Sequence, residues 1–171
     1  ARRISDTAIE TCDELRAALS LKDLAVEASI FTKCSYSGMN TKIRPDMMSL
    51  ETKTMWDIKT TTDNTPTGFA REISKWSYDL QAAYYLWNAQ NANLDIQHFK
   101  FFAVDKETGI CVTYDLSELY LASAKERMFK VMDQLIEADE TQKLTTGWDQ
   151  TVTIHLPTYL ENQMSDNVHP F

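Results

Sequence analysis

The sequence predicts a mixed α/β (α+β) fold in which helices flank a central mixed β-sheet. Three observations predict this fold class. Stretches 24–34 and 41–62 combine β-branched and aromatic residues with strand-like alternation. Stretches 69–91 and 117–138 repeat apolar residues at helical spacing, as amphipathic helices do. Near-continuous apolar runs on either side of a turn predict a hairpin of central strands, over 97–104 and 110–115.

Length and composition bound the class of protein. The chain has 171 residues, of which 43% are hydrophobic and 25% charged, so we expect 1–171 to form one globular domain. Its 3 cysteines are widely spaced and predict neither a disulfide framework nor a zinc site. We therefore expect a reducing, cytoplasmic setting. No apolar run approaches the roughly 20 residues of a membrane span, and no membrane partner is expected.

The formal net charge of −8 bears on the choice of partner. Nucleic-acid-binding proteins are more often basic, so this charge favours an acidic protein without a DNA partner. A local basic surface can nevertheless coexist with an acidic total, and carboxylates that hold a metal ion add negative charge. Both interpretations stay open on composition alone. No G-x-x-x-x-G-K-[ST] motif occurs, so an ATP-binding loop is not expected.

Two elements are predicted before the central stretch. Residues 6–20 are predicted to form a packing helix, because Thr7 and Glu10 match a capping box and apolar residues follow at helical spacing. In the predicted strand 24–34 the even positions are apolar and should face the core. Glu27 then points to the opposite face, where a strand glutamate is most simply solvated.

The stretch Thr41–Thr62 is the one around which the chain is organised. Pro45 removes a ladder donor, so its strand should lie at an edge or contain a bulge. Asp57 and Lys59 share one face of the following strand, and antiparallel pairing would bring Asp46 close to that face. Two close carboxylates repel unless a positive charge lies between them, and Mg²⁺ or Mn²⁺ is the usual solution. Asp46 taken alone is better explained as a turn residue.

The long helix predicted over 69–91 carries a second pair of candidates. Gln81 and Tyr85 lie four residues apart and therefore on one helical face. That face is equally explained as the boundary of an amphipathic helix. The predicted core stripe of the helix is Ile73, Trp76, Leu80, Ala83, Tyr84 and Trp87. A short strand is predicted further on, over 147–156.

Taken in order, these motifs resemble those of one enzyme superfamily. Pro45-Asp46 followed by Asp57-Ile58-Lys59 is similar to the signature of the PD-(D/E)xK nucleases. The downstream Gln81-x-x-x-Tyr85 resembles the RecE and lambda-exonuclease type of phage recombination exonuclease. The resemblance covers about residues 24–90 and implies a restriction-endonuclease-like core, with a central mixed sheet flanked by helices.

The resemblance also implies roles for individual residues. Asp46, Asp57 and the backbone carbonyl of Ile58 would hold one Mg²⁺, or Mn²⁺ in its place, and Glu27 with Asp46 could hold a second. Lys59 would position or deprotonate the attacking water. Gln81 would hydrogen-bond near that water or the scissile phosphate, with Tyr85 close to the phosphate.

One feature of the resembling enzymes has no counterpart here. They are expected to carry a histidine on an upstream helix, and no histidine precedes His98. Either that helix belongs to an N-terminal segment that the nuclease domain lacks, or its role is unfilled.

The function implied is a metal-dependent exodeoxyribonuclease that degrades linear double-stranded DNA from 5′ to 3′ and leaves 3′ single-stranded overhangs for recombination. The implied partners are double-stranded DNA ends, a single-strand annealing protein and further copies of the chain in a ring-shaped homo-oligomer. Two alternatives stay open. One is a PD-(D/E)xK nuclease of other polarity or an endonuclease, and the other is a catalytically degenerate DNA-binding domain.

Overall fold

The computed structural model describes residues 2–142 and residue 153, so the strand predicted over 147–156 lies, residue 153 apart, outside the described residues. The chain divides into two compact units, Ala1–Ile136 and Glu137–Phe171, and the strands and the site lie in the first. The described elements are α1 (Arg2–Thr11), α2 (Asp13–Leu19), β1 (Ala25–Val26), β2 (Ile30–Lys33), β3 (Asn40–Ile43), β4 (Met47–Ser49), β5 (Thr54–Thr61), α3 (Pro66–Trp76), α4 (Tyr78–Asn91), β6 (His98–Asp105), β7 (Cys111–Asp115) and α5 (Glu118–Thr141).

A five-stranded mixed sheet with the order β1-β4-β5-β6-β7 forms the centre of the fold, as predicted. Strands β5 and β6 are parallel, and the other neighbouring pairs are antiparallel. A parallel pair needs a crossover connection, and α3 and α4 supply it. The predicted hairpin of β6 and β7 is confirmed, although β7 lies at the edge of the sheet. No helix in the described part of the chain is long and apolar enough to cross a membrane.

Helices cover both faces of this sheet, because β5 and β6 bury alternate residues on opposite sides. Met55, Phe99 and Phe101 face α3 and α4, with which they form one apolar cluster. Trp56 and Phe102 face the other way and pack against α1 and α2 in a second cluster. Both Asp57 and Lys59 belong by alternation to the face of Met55, so they point toward α3 and α4.

The predicted strand 24–34 is instead two short strands in two different sheets. Glu27 adopts a left-handed backbone with φ of 48°, which turns the chain out of the central sheet after β1. β2 then pairs with β3 as a separate two-stranded sheet. The predicted inward direction of Val26 is therefore wrong, and this residue is 62% exposed. The strand predicted around Pro45 is not a single edge or bulged strand either, since Pro45 lies between β3 and β4, which belong to different sheets.

Two helices predicted as continuous are each divided. Cys12 separates α1 from α2 and caps α2, because its Sγ accepts a hydrogen bond from the Leu15 N–H at 3.4 Å. The predicted capping box is wrong, since Thr7 lies inside α1. Ser77, with φ of 55°, separates α3 from α4 and leaves Trp76 outside the core, 58% exposed.

The predicted helix over 117–138 is confirmed as α5, with part of its apolar stripe outside the core. Met128 and Met132 are buried, whereas Leu119, Val131 and Leu135 are exposed.

Candidate active site

Asp46 is held against the backbone of β5 just before β4 begins. Its Oδ2 accepts a hydrogen bond from the Ile58 N–H at 2.7 Å. The β4–β5 register ends with Met47 opposite Trp56, and its continuation by two residues would set Pro45 opposite Ile58. Pro45 has no amide hydrogen and cannot donate to the Ile58 carbonyl, which faces the same side as the Ile58 N–H. The motif therefore gives the Ile58 amide a carboxylate partner and leaves its carbonyl without a ladder donor from Pro45.

Asp57, Lys59 and Gln81 form a closed set of contacts. Lys59 Nζ lies 2.7 Å from Asp57 Oδ2. Gln81, on α4, donates its Nε2 to Asp57 Oδ1 at 2.7 Å, and its Oε1 accepts from Lys59 Nζ at 3.0 Å. One side-chain amide thus bridges the carboxylate and the ammonium with a donor toward one and an acceptor toward the other. This arrangement fixes the orientation of all three side chains.

The Asp57 carboxylate is nearly enclosed, with the residue only 5% exposed. Burial raises the pKa of Asp57 above its ordinary value of 3.8, the Lys59 ammonium opposes that rise, and the charge of Asp46 adds to it. Oδ2 is buried and contacts Lys59 as an ion pair, with no partner in hydrogen-bond geometry. A buried carboxylate oxygen in this state favours a further cation.

Tyr78 completes the surroundings of Lys59. The Lys59 ammonium lies 4.4 Å from the centroid of the Tyr78 ring, where a cation–π attraction contributes about 0.5–2 kcal/mol. Burial raises the pKa of Tyr78, so its phenol stays uncharged at neutral pH. Tyr78 and Gln81 lie three residues apart, so the sequence already indicates that they share a helical face. The structure adds that α4 begins at Tyr78, directly after the break at Ser77. The contact of Tyr78 with Lys59 was not predicted.

Tyr85 and Glu27 both contact the segment that carries Asp46. Tyr85 donates its hydroxyl to the Arg44 carbonyl at 3.3 Å. The Glu27 carboxylate lies 3.8 Å from the Arg44 guanidinium, and the Glu27 N–H donates to the Asp46 carbonyl at 2.9 Å. These contacts fix the backbone on both sides of Pro45. The structure thus brings Asp57, Lys59 and Gln81 into direct contact, and it places Tyr85 and Glu27 as supports of the Asp46 segment.

The oxygens around β5 fit a divalent cation that prefers oxygen ligands. Asp46 and Asp57 supply two carboxylates, and the Ile58 carbonyl supplies a neutral oxygen. Glu27 is engaged by Arg44, and within residues 2–142 no three acidic, histidine or cysteine side chains gather into a metal-ligating group. A cation held by this short donor set would keep several water ligands, as Mg²⁺ usually does.

A comparison with protein families decides how this site is classified. Residues 3–147 match the family described as "PDDEXK-like domain of unknown function (DUF3799)". The chain belongs to this family. Membership confirms that the chain resembles the PD-(D/E)xK nucleases, while the roles of the individual residues and the RecE-like features stay predictions. It supports a nuclease, which is a hydrolase, of the PD-(D/E)xK type.

The comparison with solved structures finds a protein of similar fold. A protein from Eubacterium rectale described as a "Putative exonuclease" is similar, with a TM-score of 0.64 at 14% identity. The match covers 96% of this chain but only 64% of that protein, and at this identity it shows the fold alone. The protein SSO0001 gives a TM-score of 0.43 at 17% identity over 71% of this chain and 55% of that chain, which is too low to support an argument. The comparison with curated proteins gives no match.

Proposed function

We propose that this PDDEXK-like chain is a metal-dependent exodeoxyribonuclease that degrades linear double-stranded DNA from 5′ to 3′ and leaves 3′ single-stranded overhangs for recombination. The observation that carries the proposal is the closed set of Asp57, Lys59 and Gln81 beside Asp46. Hydrolysis of a phosphodiester needs an oriented water, a charge that offsets the phosphate, and a carboxylate pair to hold a cation.

The residues have distinct roles in this mechanism. Asp46, Asp57 and the Ile58 carbonyl would hold one Mg²⁺, or Mn²⁺, and Glu27 with Asp46 would hold a second ion if Glu27 leaves Arg44. When bound, such an ion lowers the pKa of a water and offsets phosphate charge. Lys59 is anchored by Asp57 and Gln81, so its remaining N–H donor can orient the attacking water or meet a phosphate oxygen. Tyr85 acts through the Arg44 carbonyl and so positions Asp46.

The substrate, the polarity and the partners form the less direct part of the proposal. They rest on the resemblance of residues 24–90 to the RecE type, and the neighbour described as a "Putative exonuclease" supports an end-dependent reaction. We propose double-stranded DNA ends as substrate and a single-strand annealing protein as the partner that receives the 3′ overhang. A homo-oligomeric ring around the duplex would keep the enzyme on one DNA molecule.

The test is cleavage of a linear duplex with 5′-phosphate ends and a different label on each end of each strand, beside a closed circle of the same sequence. Mg²⁺, Mn²⁺ and a chelator are compared. We expect metal-dependent loss of the 5′ labels first and an intact circle. Cleavage of the circle would indicate an endonuclease. Earlier loss of the 3′ labels would indicate the opposite polarity, and a lack of cleavage with any metal would indicate a degenerate domain.

The matched variants are Lys59→Ala and Lys100→Ala. Both lysines lie on the central sheet and pair with a carboxylate, but Lys100 contacts Glu14 at 2.8 Å on the opposite face. Lys59→Ala should lower the cleavage rate about 10²-fold or more while DNA affinity is retained, and Lys100→Ala should cleave normally. A Lys59→Ala protein that cleaves at the wild-type rate would remove Lys59 from the mechanism.

A further inference from the structure

The segment from Ala28 to Pro45 is a positive region in an acidic protein. It contains Lys33, Lys42 and Arg44 and no acidic residue, whereas the whole chain has a net charge of −8. The segment folds as the β2–β3 sheet and then leads through Arg44 to Asp46. A positive surface therefore adjoins the candidate active site.

Strand alternation sorts the β2–β3 sheet into two unlike faces. Phe31 pairs with Lys42, and Lys33 pairs with Asn40, so these four side chains share one face. All four are exposed, whereas the alternate residues are partly or fully buried. On the buried face Thr41 hydrogen-bonds Asn88 of α4, which holds the sheet against the core. Because the buried face packs against the core, the opposite face of the β2–β3 sheet points toward solvent.

Phe31 is the unusual member of this outward face, because a large aromatic ring is 72% exposed. Burial of such a side chain stabilises a folded protein, and the hairpin does not gain this stabilisation. The Lys42 ammonium lies 5.2 Å from the ring centroid, which keeps the ring beside a positive charge. An exposed ring next to a cation is the combination that binds an unpaired base and its phosphate.

We propose that the outward face of the β2–β3 sheet binds single-stranded DNA, with Phe31 stacking on an unpaired base and Lys33, Lys42 and Arg44 contacting phosphates. This inference rests on the proposed function for the identity of the ligand. The bases of a duplex are already stacked on each other, so the ring gains a partner only from an unpaired base. Charge complementarity favours a polyanion here even though the whole chain is acidic.

The chain itself limits the distance between this contact and the site. Asp46 is the fourth residue after Lys42, so their Cα atoms are at most about 14 Å apart. A stacked strand advances about 3.4 Å per nucleotide. Phe31 lies opposite Lys42, about 5 Å further across the sheet. The base on Phe31 therefore lies within about six nucleotides of the phosphate at Asp46, close enough to hold one strand as it enters or leaves the site.

Binding of a fluorescein-labelled oligothymidylate to the whole chain, measured by anisotropy with a chelator present, tests this contact without cleavage. Phe31→Ala should weaken binding about 5- to 150-fold, as loss of one stacked base does, and Phe31→Trp should restore it. Lys42→Gln should reduce the slope of log affinity against log salt by about 0.7. Unchanged unfolding temperatures show that the variants are folded.

Two control variants remove an exposed apolar side chain and a single positive charge elsewhere on the chain. Leu119→Ala removes an exposed apolar side chain from α5, and Lys106→Gln removes one charge from the β6–β7 turn. Neither should alter binding. The proposal would be overturned if Phe31→Ala binds the oligothymidylate with wild-type affinity, or if Leu119→Ala loses as much affinity as Phe31→Ala. The exposed ring of Phe31 would then be better explained as a contact for a protein partner. If the chain binds DNA through Phe31 but never cleaves it, only the proposed nuclease activity is overturned. If the chain cleaves DNA and Phe31→Ala has no effect on binding, only the proposed contact at Phe31 is overturned.

Discussion

The charge of Asp57 is unfavourable for the stability of the fold but is needed for the proposed activity. Its carboxylate is buried, its pKa is raised chiefly by burial, and its Oδ2 has no hydrogen-bond partner. A fold without a metal ion would be better served by a neutral side chain of the same shape. The charge is explained if a cation completes the site.

Asp57→Asn should therefore separate stability from activity. We expect cleavage to fall about 10²-fold or more. Unfolding in urea with a chelator present should show that the metal-free variant is at least as stable as the wild type at pH 7. The raised pKa of Asp57 means that burial of its charge costs the fold more than the ion pair with Lys59 returns, and an amide oxygen can still accept from Gln81. Since the pKa of Asp57 is raised in the folded state, the wild type gains stability as pH falls through that pKa toward 3.8. The variant lacks this gain, so its advantage should narrow on acidification.

Asp95→Asn is the matched control with the opposite sign. Asp95 is exposed, and its hydrogen bond with Lys53 lowers its pKa. Its ionised form favours the folded state at pH 7, and this contribution is lost as pH falls below 3.8 through the lowered pKa. An Asp57→Asn protein that is less stable than the wild type at pH 7, by an amount that does not change with pH, would contradict the account of Asp57.

The sequence was sufficient to predict the contacts that depend on regular spacing. Asp57 and Lys59 share a face because strands alternate. The hydrogen bonds of Gln81 to both were not predicted, because the resemblance placed Gln81 near the attacking water or the phosphate. The contact of Tyr85 with the Arg44 carbonyl is different in kind. A backbone acceptor on a distant segment leaves no trace in the spacing of side chains, so only the folded chain shows it.

At the scale of elements, Ser77 decides how the helical layer covers the site. The apolar stripe of 69–91 continues across Ser77 without a glycine or proline, and so it predicts one helix. The chain instead adopts φ of 55° there and begins α4 with the ring of Tyr78 over Lys59. Glu27, with φ of 48°, is a similar left-handed break at a residue that carries no turn signal. Left-handed positions occupied by residues other than glycine are set by packing, which is why the sequence did not predict them.

Ser77→Gly should stabilise the fold by about 0.5–1 kcal/mol. Ser77 makes no side-chain capping hydrogen bond to α4, so the substitution loses no such contact and relieves a left-handed conformation that glycine adopts without strain. The urea midpoint at constant slope measures the change. Ser123→Gly, inside α5, should instead destabilise by about 0.5 kcal/mol. A loss of stability in Ser77→Gly as large as that in Ser123→Gly would mean that the break is not strained.

At the scale of the whole molecule, the layer of α1 and α2 is joined to the sheet through buried thiols. Cys12 lies at the junction of the two helices, and Cys111 begins β7, and both belong to the cluster that fills this side of the sheet. Cys12 Sγ also contacts Thr113 Oγ1 at 3.3 Å. Burial and the neighbouring Cys12 thiol raise the pKa of Cys111 to about 12. This interface therefore excludes a charged thiolate.

The fold should consequently lose stability in alkaline solution through Cys111. Between the ordinary thiol pKa of 9.0 and the folded value of about 12, the unfolded chain releases a proton that the folded chain keeps. The free energy of unfolding then falls by up to about 1.4 kcal/mol per pH unit. Urea unfolding at pH 8, 9 and 10 should show a smaller decline for Cys111→Ala than for the wild type.

Cys34→Ala supplies the contrast for this measurement. Burial raises the pKa of Cys34, but hydrogen bonds from Ser37, Trp87 and Tyr36 together outweigh burial, and the net shift is downward. The folded chain then releases the Cys34 proton first, so this thiol adds stability as pH rises, and its removal should steepen the alkaline decline. Tyrosines titrate in the same range in all three proteins, and only the differences between them report on the thiols. Parallel curves for the wild type and Cys111→Ala would show that the α1–α2 layer tolerates a thiolate at its centre.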